Sequence, residues 1–147
     1  MSRIGTKTVI YKPELSNIAE NVIIGDDCKI HSHVWIGENV KIGNNCKIQA
    51  FSFIPTGVFI KNNVFIGPRV TFTNDKKPPS KGMNWAMILV EDDVVIGAGA
   101  IILPGLVLKT GCFIAAGAVV TKDVQAYQKV LGVPARPFDG IVDITLK

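Results

Sequence analysis

Large aliphatic side chains return at every sixth position along most of the chain. A second series of mostly small or β-branched residues follows each of them except Phe72 by four positions. The first series is Ile18, Ile24, Ile30, Ile36, Ile42, Ile48, Ile54, Ile60, Ile66 and Phe72, then Val90, Ile96, Ile102, Leu108, Ile114 and Val120. The second is Val22, Cys28, Val34, Val40, Cys46, Ser52, Val58, Val64, Val70, Val94, Ala100, Leu106, Cys112, Ala118 and Val124. A six-residue period fits neither a 3.6-residue helix nor a simple hairpin meander.

This period predicts an all-β parallel β-helix, a solenoid in which each hexapeptide forms a short strand and a corner. Three hexapeptides would close one coil, and coils would stack at about 4.8 Å, each burying its apolar face against its neighbours. Glycine often follows the large aliphatic residue, which predicts that it eases the backbone at the turn. These glycines are Gly25, Gly37, Gly43, Gly67 and Gly97.

All three cysteines fall in the inward small series, so we expect them to fill the core. Cys28 and Cys46 are three hexapeptides apart, which is one full coil, and should stack directly.

The segment 71–87, TFTNDKKPPSKGMNWAM, breaks the pattern. Phe72 and Val90 are three hexapeptides apart, which we interpret as one full coil's length, so the six-residue repeat resumes in phase after the segment. Part of the segment must nevertheless leave the solenoid. Trp85 and Met87 suggest packing against another subunit or a ligand, and the alternative is a loop folded onto its own coil. We expect one domain over 1–147, with coils at about 18–73 and 88–125, a loop at 74–87 and a C-terminal segment at 126–147.

Composition and charge exclude several classes of protein. A chain of 147 residues with 48% apolar content suits one domain with an ordinary core. Its 16 Lys and Arg against 12 acids are interleaved, without the basic runs of a nucleic-acid footprint. Three cysteines without zinc spacing predict neither a zinc motif nor a disulfide framework. With no leader pattern and no apolar run of bilayer length, we expect a cytoplasmic protein.

The hexapeptides IGENVK, IGNNCK, IGPRVT and IGAGAI, one interrupting loop and the later VVTKDVQAYQKVLGVPARP resemble the hexapeptide acyltransferases of the left-handed β-helix fold. The resemblance covers about residues 18–137. It implies left-handed winding, a homotrimer, and acetyl-coenzyme A lying between two subunits where it meets an acceptor, often a sugar.

The stretch TFTNDKKPP is similar to the FTND segment of enzymes that N-acetylate nucleotide-linked deoxyamino sugars. Relatives that acetylate hydroxyl groups often carry a histidine at this loop, and this chain has none there. A hydroxyl normally needs a positioned base, whereas an amine can attack a thioester as the free base. We therefore expect Asn74 to orient an acceptor amine, and Asp75 either to hold that asparagine and the loop or to receive a proton. The alternative for both is turn formation.

His31 and His33 form an HxH pair about two coils before the loop. Two histidines without a further cluster do not complete a zinc shell, so polar contact with the acceptor or an ordinary exposed corner is expected. Gln49 is similar to a glutamine near the acceptor in amino-sugar acetyltransferases, although Ala50 and Phe51 depart from the polar pair of some relatives. With Trp85, these residues are the predicted acceptor contacts.

Small residues after the loop predict the coenzyme side, because they let a pantetheine arm approach backbone amides. They are Gly97, Ala98, Gly99, Ala115, Ala116 and Gly117. Tight corners alone would also favour small residues. GVPARP at 132–137 resembles the family's coenzyme motif, with Val133 where Asn is common; Pro134 would keep the turn and Arg136 would contact phosphates. The tail FDGIVDITLK predicts either a short strand or a segment lying on a neighbour.

Three functions follow. The first is trimeric, acetyl-coenzyme A dependent N-acetylation of a nucleotide-linked amino sugar, which needs no metal. The second is O-acetylation of a sugar or small alcohol, with Asp75 or a neighbouring subunit's His31 or His33 as base. The third is a noncatalytic trimeric scaffold.

Overall fold

A computed structural model describes residues 1–139 as three parallel sheets that form the sides of a solenoid. Sheet I contains β1 (Arg3–Ile4), β4 (Ile23–Ile24), β7 (Lys41–Ile42), β10 (Val58–Ile60), β13 (Ile88–Val90) and β16 (Val107–Leu108). Sheet II contains β2 (Val9–Ile10), β5 (Lys29–Ile30), β8 (Lys47–Ile48), β11 (Phe65–Ile66), β14 (Val95–Ile96), β17 (Phe113–Ile114), β19 (Lys129–Leu131) and β20 (Arg136–Pro137). Sheet III contains β3 (Asn17–Ile18), β6 (Trp35–Ile36), β9 (Phe53–Ile54), β12 (Thr71–Phe72), β15 (Ile101–Ile102) and β18 (Val119–Val120).

The chain passes from sheet I to sheet II to sheet III in every coil, so sequence neighbours lie on different sides. All the strand pairs are parallel except that of β19 with β20, which is antiparallel, while β19 pairs in parallel with β17. A short 3₁₀ helix spans Pro13–Leu15, and within residues 1–139 no helix is long and apolar enough to cross a membrane. The predicted all-β solenoid is thus confirmed, while the tail prediction for 138–147 lies largely outside the described residues.

The core consists of the two inward series stacked along the solenoid axis. In the described part of the chain, thirty apolar side chains are buried in one cluster, the largest being Phe72. Ser52 is the buried polar exception there, and its hydroxyl faces the carbonyls of Gln49 and Gly67 at 3.1 and 2.9 Å. Because each coil contributes only a thin layer of side chains, its burial depends on the coils above and below.

The cysteines fill the core as expected. All three are buried free thiols, and the Cys46 amide donates to Cys28 Sγ at 3.4 Å, so these two residues stack. Burial, reinforced by the nearby Glu91 charge, raises the pKa of Cys112 to about 12. The Cys112 thiol therefore stays protonated and unreactive in the folded chain.

The glycines that follow the large aliphatic residues have a different role from the one predicted. A β-carbon on Gly97 would lie 2.5 Å from the Ala116 nitrogen, and one on Gly67 would lie 2.7 Å from the Ala98 nitrogen. Close stacking of neighbouring coils therefore requires glycine there. The left-handed backbone falls two positions later, and the corner residues with positive φ include Lys7, Asn21, Asp27, His33, Asn39, Asn45, Phe51, Gly57, Asn63, Arg69, Asp93, Gly99, Gly105, Gly111, Gly117 and Tyr127.

Strand register gives the size of the interruption. Partners in adjacent coils are usually three hexapeptides apart, as in Trp35 with Phe53, but Phe59 pairs with Leu89, five hexapeptides later. The length of two hexapeptides is therefore inserted between sheet III and sheet I. The interpretation of the span from Phe72 to Val90 as one coil's length is wrong: it contains one side of the solenoid and this insertion. The phase survives because the insertion is a whole number of hexapeptides long.

Candidate active site

The inserted loop leaves and re-enters the solenoid at one corner, which lies between sheets III and I and is called here the loop corner. Its two arms pair with each other: Asp75 and Trp85 form an antiparallel bridge, and the Ala86 amide donates to the Asn74 carbonyl at 2.8 Å. The Lys76 amide donates to the Asn84 carbonyl at 3.1 Å. This pairing places Trp85 beside the base of the loop, next to Asn74.

The Asp75 carboxylate holds the turn of the loop. One oxygen accepts the Ser80 amide at 2.8 Å and the other accepts the Lys77 amide at 3.0 Å. Partial desolvation raises the pKa of Asp75, but hydrogen bonds from Ser80, Lys77 and Trp85 favour the anion and bring the pKa below its usual value of 3.8. These contacts hold the turn of the loop and, with the lowered pKa, leave Asp75 a weak proton acceptor.

Asn74 lies where the chain leaves β12. Its Nδ2 donates to the Thr56 carbonyl at 2.9 Å, so the side chain is anchored to the preceding coil at the same corner. Within residues 1–139 the Oδ1 atom has no hydrogen-bond donor. An anchored amide with a free oxygen can accept a hydrogen bond from an amine or hydroxyl in a fixed direction.

A pocket of about 420 Å³ opens between the loop and sheet III. It is lined by Ala19, Trp35, Gly37, Glu38, Phe53, Pro55, Thr56, Asn74 and Trp85. The rings of Trp35 and Phe53 stack at 6.4 Å between centroids, and Trp85 is 52% exposed rather than buried on its own coil. The pocket therefore has an aromatic wall with Asn74 at its edge, a form suited to a small ligand.

The structure adds Trp35, Phe53, Thr56 and Glu38 to the predicted residues of this region. The missed signal is a spacing: Trp35 and Phe53 precede inward isoleucines and are one coil apart, so both face outward on the same side. Two outward aromatic residues in adjacent coils form an exposed apolar patch, which indicates a binding surface.

His31, His33 and Gln49 lie at a different corner, between sheets II and III, called here the groove corner. His33 stacks on Phe51 at 4.7 Å between centroids, with the Arg69 guanidinium 5.7 Å from the same ring, and His31 lies 5.0 Å from Tyr11. Within one chain, the structure does not bring these three predicted contacts together with Asn74 and Asp75, because sheet III separates the two corners. Within residues 1–139, no group of three or more His, Cys, Asp or Glu side chains is placed to hold a metal ion.

The predicted coenzyme residues form a continuous strip further along the groove corner. A β-carbon on Gly99 or Gly117 would meet nothing within 4 Å, so these residues leave open space on the surface. Ala98 and Ala116 are exposed beside them, while Gly97 and Ala115 are half-buried. The strip can accommodate a narrow chain that hydrogen bonds to backbone.

At the end of the solenoid, a cavity of about 270 Å³ lies between the last coil and β20. Arg136 and Lys122 line it, and Arg136 Nη1 donates to the Ala135 carbonyl at 3.2 Å. Pro134 is exposed in the turn between β19 and β20. The Arg136 guanidinium keeps further donors for an anion.

The sequence profile described as Bacterial transferase hexapeptide (six repeats) matches residues 21–56, 39–74 and 87–122, which together exceed half of the chain. The chain belongs to this family, which confirms the resemblance seen in the hexapeptides and agrees with the left-handed β-helix class. The 2,3,4,5-tetrahydropyridine-2,6-dicarboxylate N-acetyltransferase of Staphylococcus aureus (strain JH9) is 42% identical over 74 residues. That alignment covers 50% of this chain and 29% of the relative.

Solved structures with the same fold share low sequence identity with this chain. AntD, an N-acyltransferase from Bacillus cereus in complex with dTDP and 3-hydroxybutyryl-CoA, aligns with a TM-score of 0.80 and 21% identity, covering 93% of this chain and 81% of AntD. A mutant of the GDP-perosamine N-acetyl transferase from Caulobacter crescentus, in complex with CoA and GDP-perosamine, aligns with a TM-score of 0.77 and 19% identity. This chain spans 57% of that protein's length, with 90% of its own residues aligned.

Proposed function

We propose that this protein is an acetyl-coenzyme A dependent N-acetyltransferase that acts on the amino group of a nucleotide-linked deoxyamino sugar. The observation that carries the proposal is the anchored Asn74 side chain at the edge of an aromatic pocket whose lining residues include no histidine. Two structural neighbours, an N-acyltransferase crystallised with dTDP and an N-acetyltransferase crystallised with GDP-perosamine, support this substrate class.

In this reaction the free amine attacks the thioester carbonyl carbon. A nitrogen–carbon bond forms, the carbon–sulfur bond breaks, and the proton lost from nitrogen ends on the coenzyme A thiolate. Asn74 Oδ1 would accept a hydrogen bond from the amine and direct its lone pair, while Asp75 keeps the loop closed. Orientation is the main requirement, because an amine needs less help from a base than a hydroxyl does.

The complete site would lie between two subunits of a homotrimer. Within one chain the acceptor pocket and the coenzyme strip flank opposite edges of sheet III. The coenzyme strip of a neighbouring subunit is therefore needed beside the acceptor pocket of the first. The outward residues of sheet III are uncharged, which suits contact with another subunit. They are Asn17, Trp35, Phe53, Thr71, Ile101 and Val119.

The Asn74→Ala variant tests the assignment. We expect kcat/KM for the amine to fall by about 100-fold, the scale of a misplaced reactant. Stability should change by only about 1 kcal/mol, from the loss of the hydrogen bond to Thr56. Asn84→Ala is the matched control, because Asn84 lies on the same loop and bonds through its backbone.

Thiol release from acetyl-coenzyme A reports the rate with an amine acceptor and with its hydroxyl analogue. Unchanged turnover in Asn74→Ala would remove the assigned site. Turnover of the hydroxyl analogue alone would replace N-acetylation by O-acetylation, and no coenzyme binding in calorimetry would favour a scaffold.

A further inference from the structure

The polar character of the pocket at the loop corner differs from that of the whole chain. The chain carries 16 Lys and Arg residues and a net charge of +4, but none of the residues lining this pocket is basic. Its polar side chains are Glu38, Thr56 and Asn74, apart from the indole groups. The pocket therefore carries a net negative charge within a basic protein.

Glu38 supplies the carboxylate that lines this pocket. Its side chain is exposed, and within residues 1–139 it takes part in no hydrogen bond or ion pair. Asp75, by contrast, uses both oxygens to hold the loop backbone. Glu38 and Asn74 Oδ1 are thus two acceptors that remain available to a ligand at this pocket.

The aromatic wall strengthens the preference for a positive ligand. Trp35 and Trp85, both about half exposed, line the pocket together with Phe53. The faces of tryptophan rings attract ammonium groups, and a nearby carboxylate adds a charge-assisted hydrogen bond. A neutral hydroxyl would gain from neither effect to the same degree.

We infer that Glu38 recognises the protonated amine of the incoming acceptor and is the residue that makes this site select amines over hydroxyls. The inference rests on the proposed function and assigns a specificity role to a residue outside the loop. Glu38 binds the ammonium form on arrival; the ammonium then releases one proton to bulk water, and Asn74 orients the resulting free amine for attack.

Binding can be followed without turnover, because the two tryptophans of the chain both line the pocket. GDP-perosamine and a dTDP-linked amino sugar would each be titrated, beside analogues with a hydroxyl in place of the amine, while tryptophan fluorescence is recorded. We expect the wild-type protein to bind an amine about 10-fold to 100-fold more tightly than its hydroxyl analogue. Glu38→Gln should lose this preference, and Glu38→Asp should retain part of it.

Glu20→Gln is the matched control. Glu20 lies at the same corner one coil earlier and does not line the pocket, and within residues 1–139 its side chain makes only an exposed ion pair with the N-terminus at 3.9 Å. Both variants should keep the thermal midpoint and oligomeric state of the wild type, because neither side chain makes a strong contact. The amine preference should survive in Glu20→Gln.

A full amine preference in Glu38→Gln, or none in the wild type, overturns the inference. Acetyl transfer is measured separately and judges the proposed function. If the amine is acetylated but Glu38→Gln does not change amine binding, the proposed function stands and the inference is refuted. If amine binding depends on Glu38 but no acetyl group is transferred, the inference stands and the proposed function is refuted.

Discussion

Replacing Gly97 with alanine should destabilise the solenoid by forcing two coils apart. The new β-carbon would lie 2.5 Å from the Ala116 nitrogen and 2.9 Å from the Ala115 carbonyl carbon. Ordinary contact begins at 3.4 Å, so the coils must separate by about 0.5–0.9 Å, or the local backbone must shift. The hydrogen bond from the Gly97 amide to the Ile114 carbonyl, 2.7 Å long in the wild type, lies between the same two coils and would lengthen.

Overpacking of this kind costs about 1–3 kcal/mol, and replacing glycine recovers about 0.4–1 kcal/mol by restricting the unfolded chain. The net loss should be about 1–2 kcal/mol. For a chain of this size, the thermal midpoint would fall by about 2–8 °C, which circular dichroism measures directly.

Gly99→Asn is the control for this prediction. Gly99 has a φ of +70° and a β-carbon on it would meet nothing within 4 Å, and Asn39, Asn45 and Asn63 adopt the same left-handed backbone at the matching position of other corners. Its thermal midpoint should therefore stay near that of the wild type, although the new side chain would obstruct the coenzyme strip and raise the KM for acetyl-coenzyme A. A Gly97→Ala protein as stable as Gly99→Asn would refute the close-stacking argument.

Two further predictions concern titratable groups. Because the pKa of Asp75 is lowered, its stabilisation of the loop is complete above pH 3.8 and is lost as the pH falls through the folded value. Acid titration of Trp85 fluorescence in a Trp35→Phe background should show this, with Asp75→Asn giving the open-loop signal at neutral pH; a midpoint above pH 3.8 would contradict it. Cys112, with its pKa raised to about 12, should react with thiol reagents only on unfolding, and fast labelling of the native protein would be inconsistent with its burial.

The periodic part of the fold could be predicted because each inward position repeats the same steric demand. The ends of the solenoid could not. The sequence separation of the paired residues Ile4 and Ile24 is two residues longer than one coil, and that of Phe113 and Lys129 is two residues shorter. A strict count of six therefore misses β1, β2 and β19. Small changes in corner length leave strand pairing intact while they shift the sequence phase.

The candidate site could be predicted only in part. Asn74 and Asp75 were found through their resemblance to a motif, but the contacts of Asp75 with Ser80 and Lys77 depend on how the loop turns. Glu38 was missed because it sits in an ordinary hexapeptide, IGENVK, and becomes distinctive only where the loop adds Asn74 and Trp85 to the same pocket.

The coils on either side of the insertion pair directly with each other. The Ile88 amide donates to the Gly57 carbonyl at 2.9 Å, so the coil after the loop pairs with the coil before it as if no residues intervened. The sheets therefore place little constraint on what lies between Asn74 and Ala86. A loop of another length could therefore be exchanged at this corner with the coils kept in register, so that the loop and the coils can vary independently.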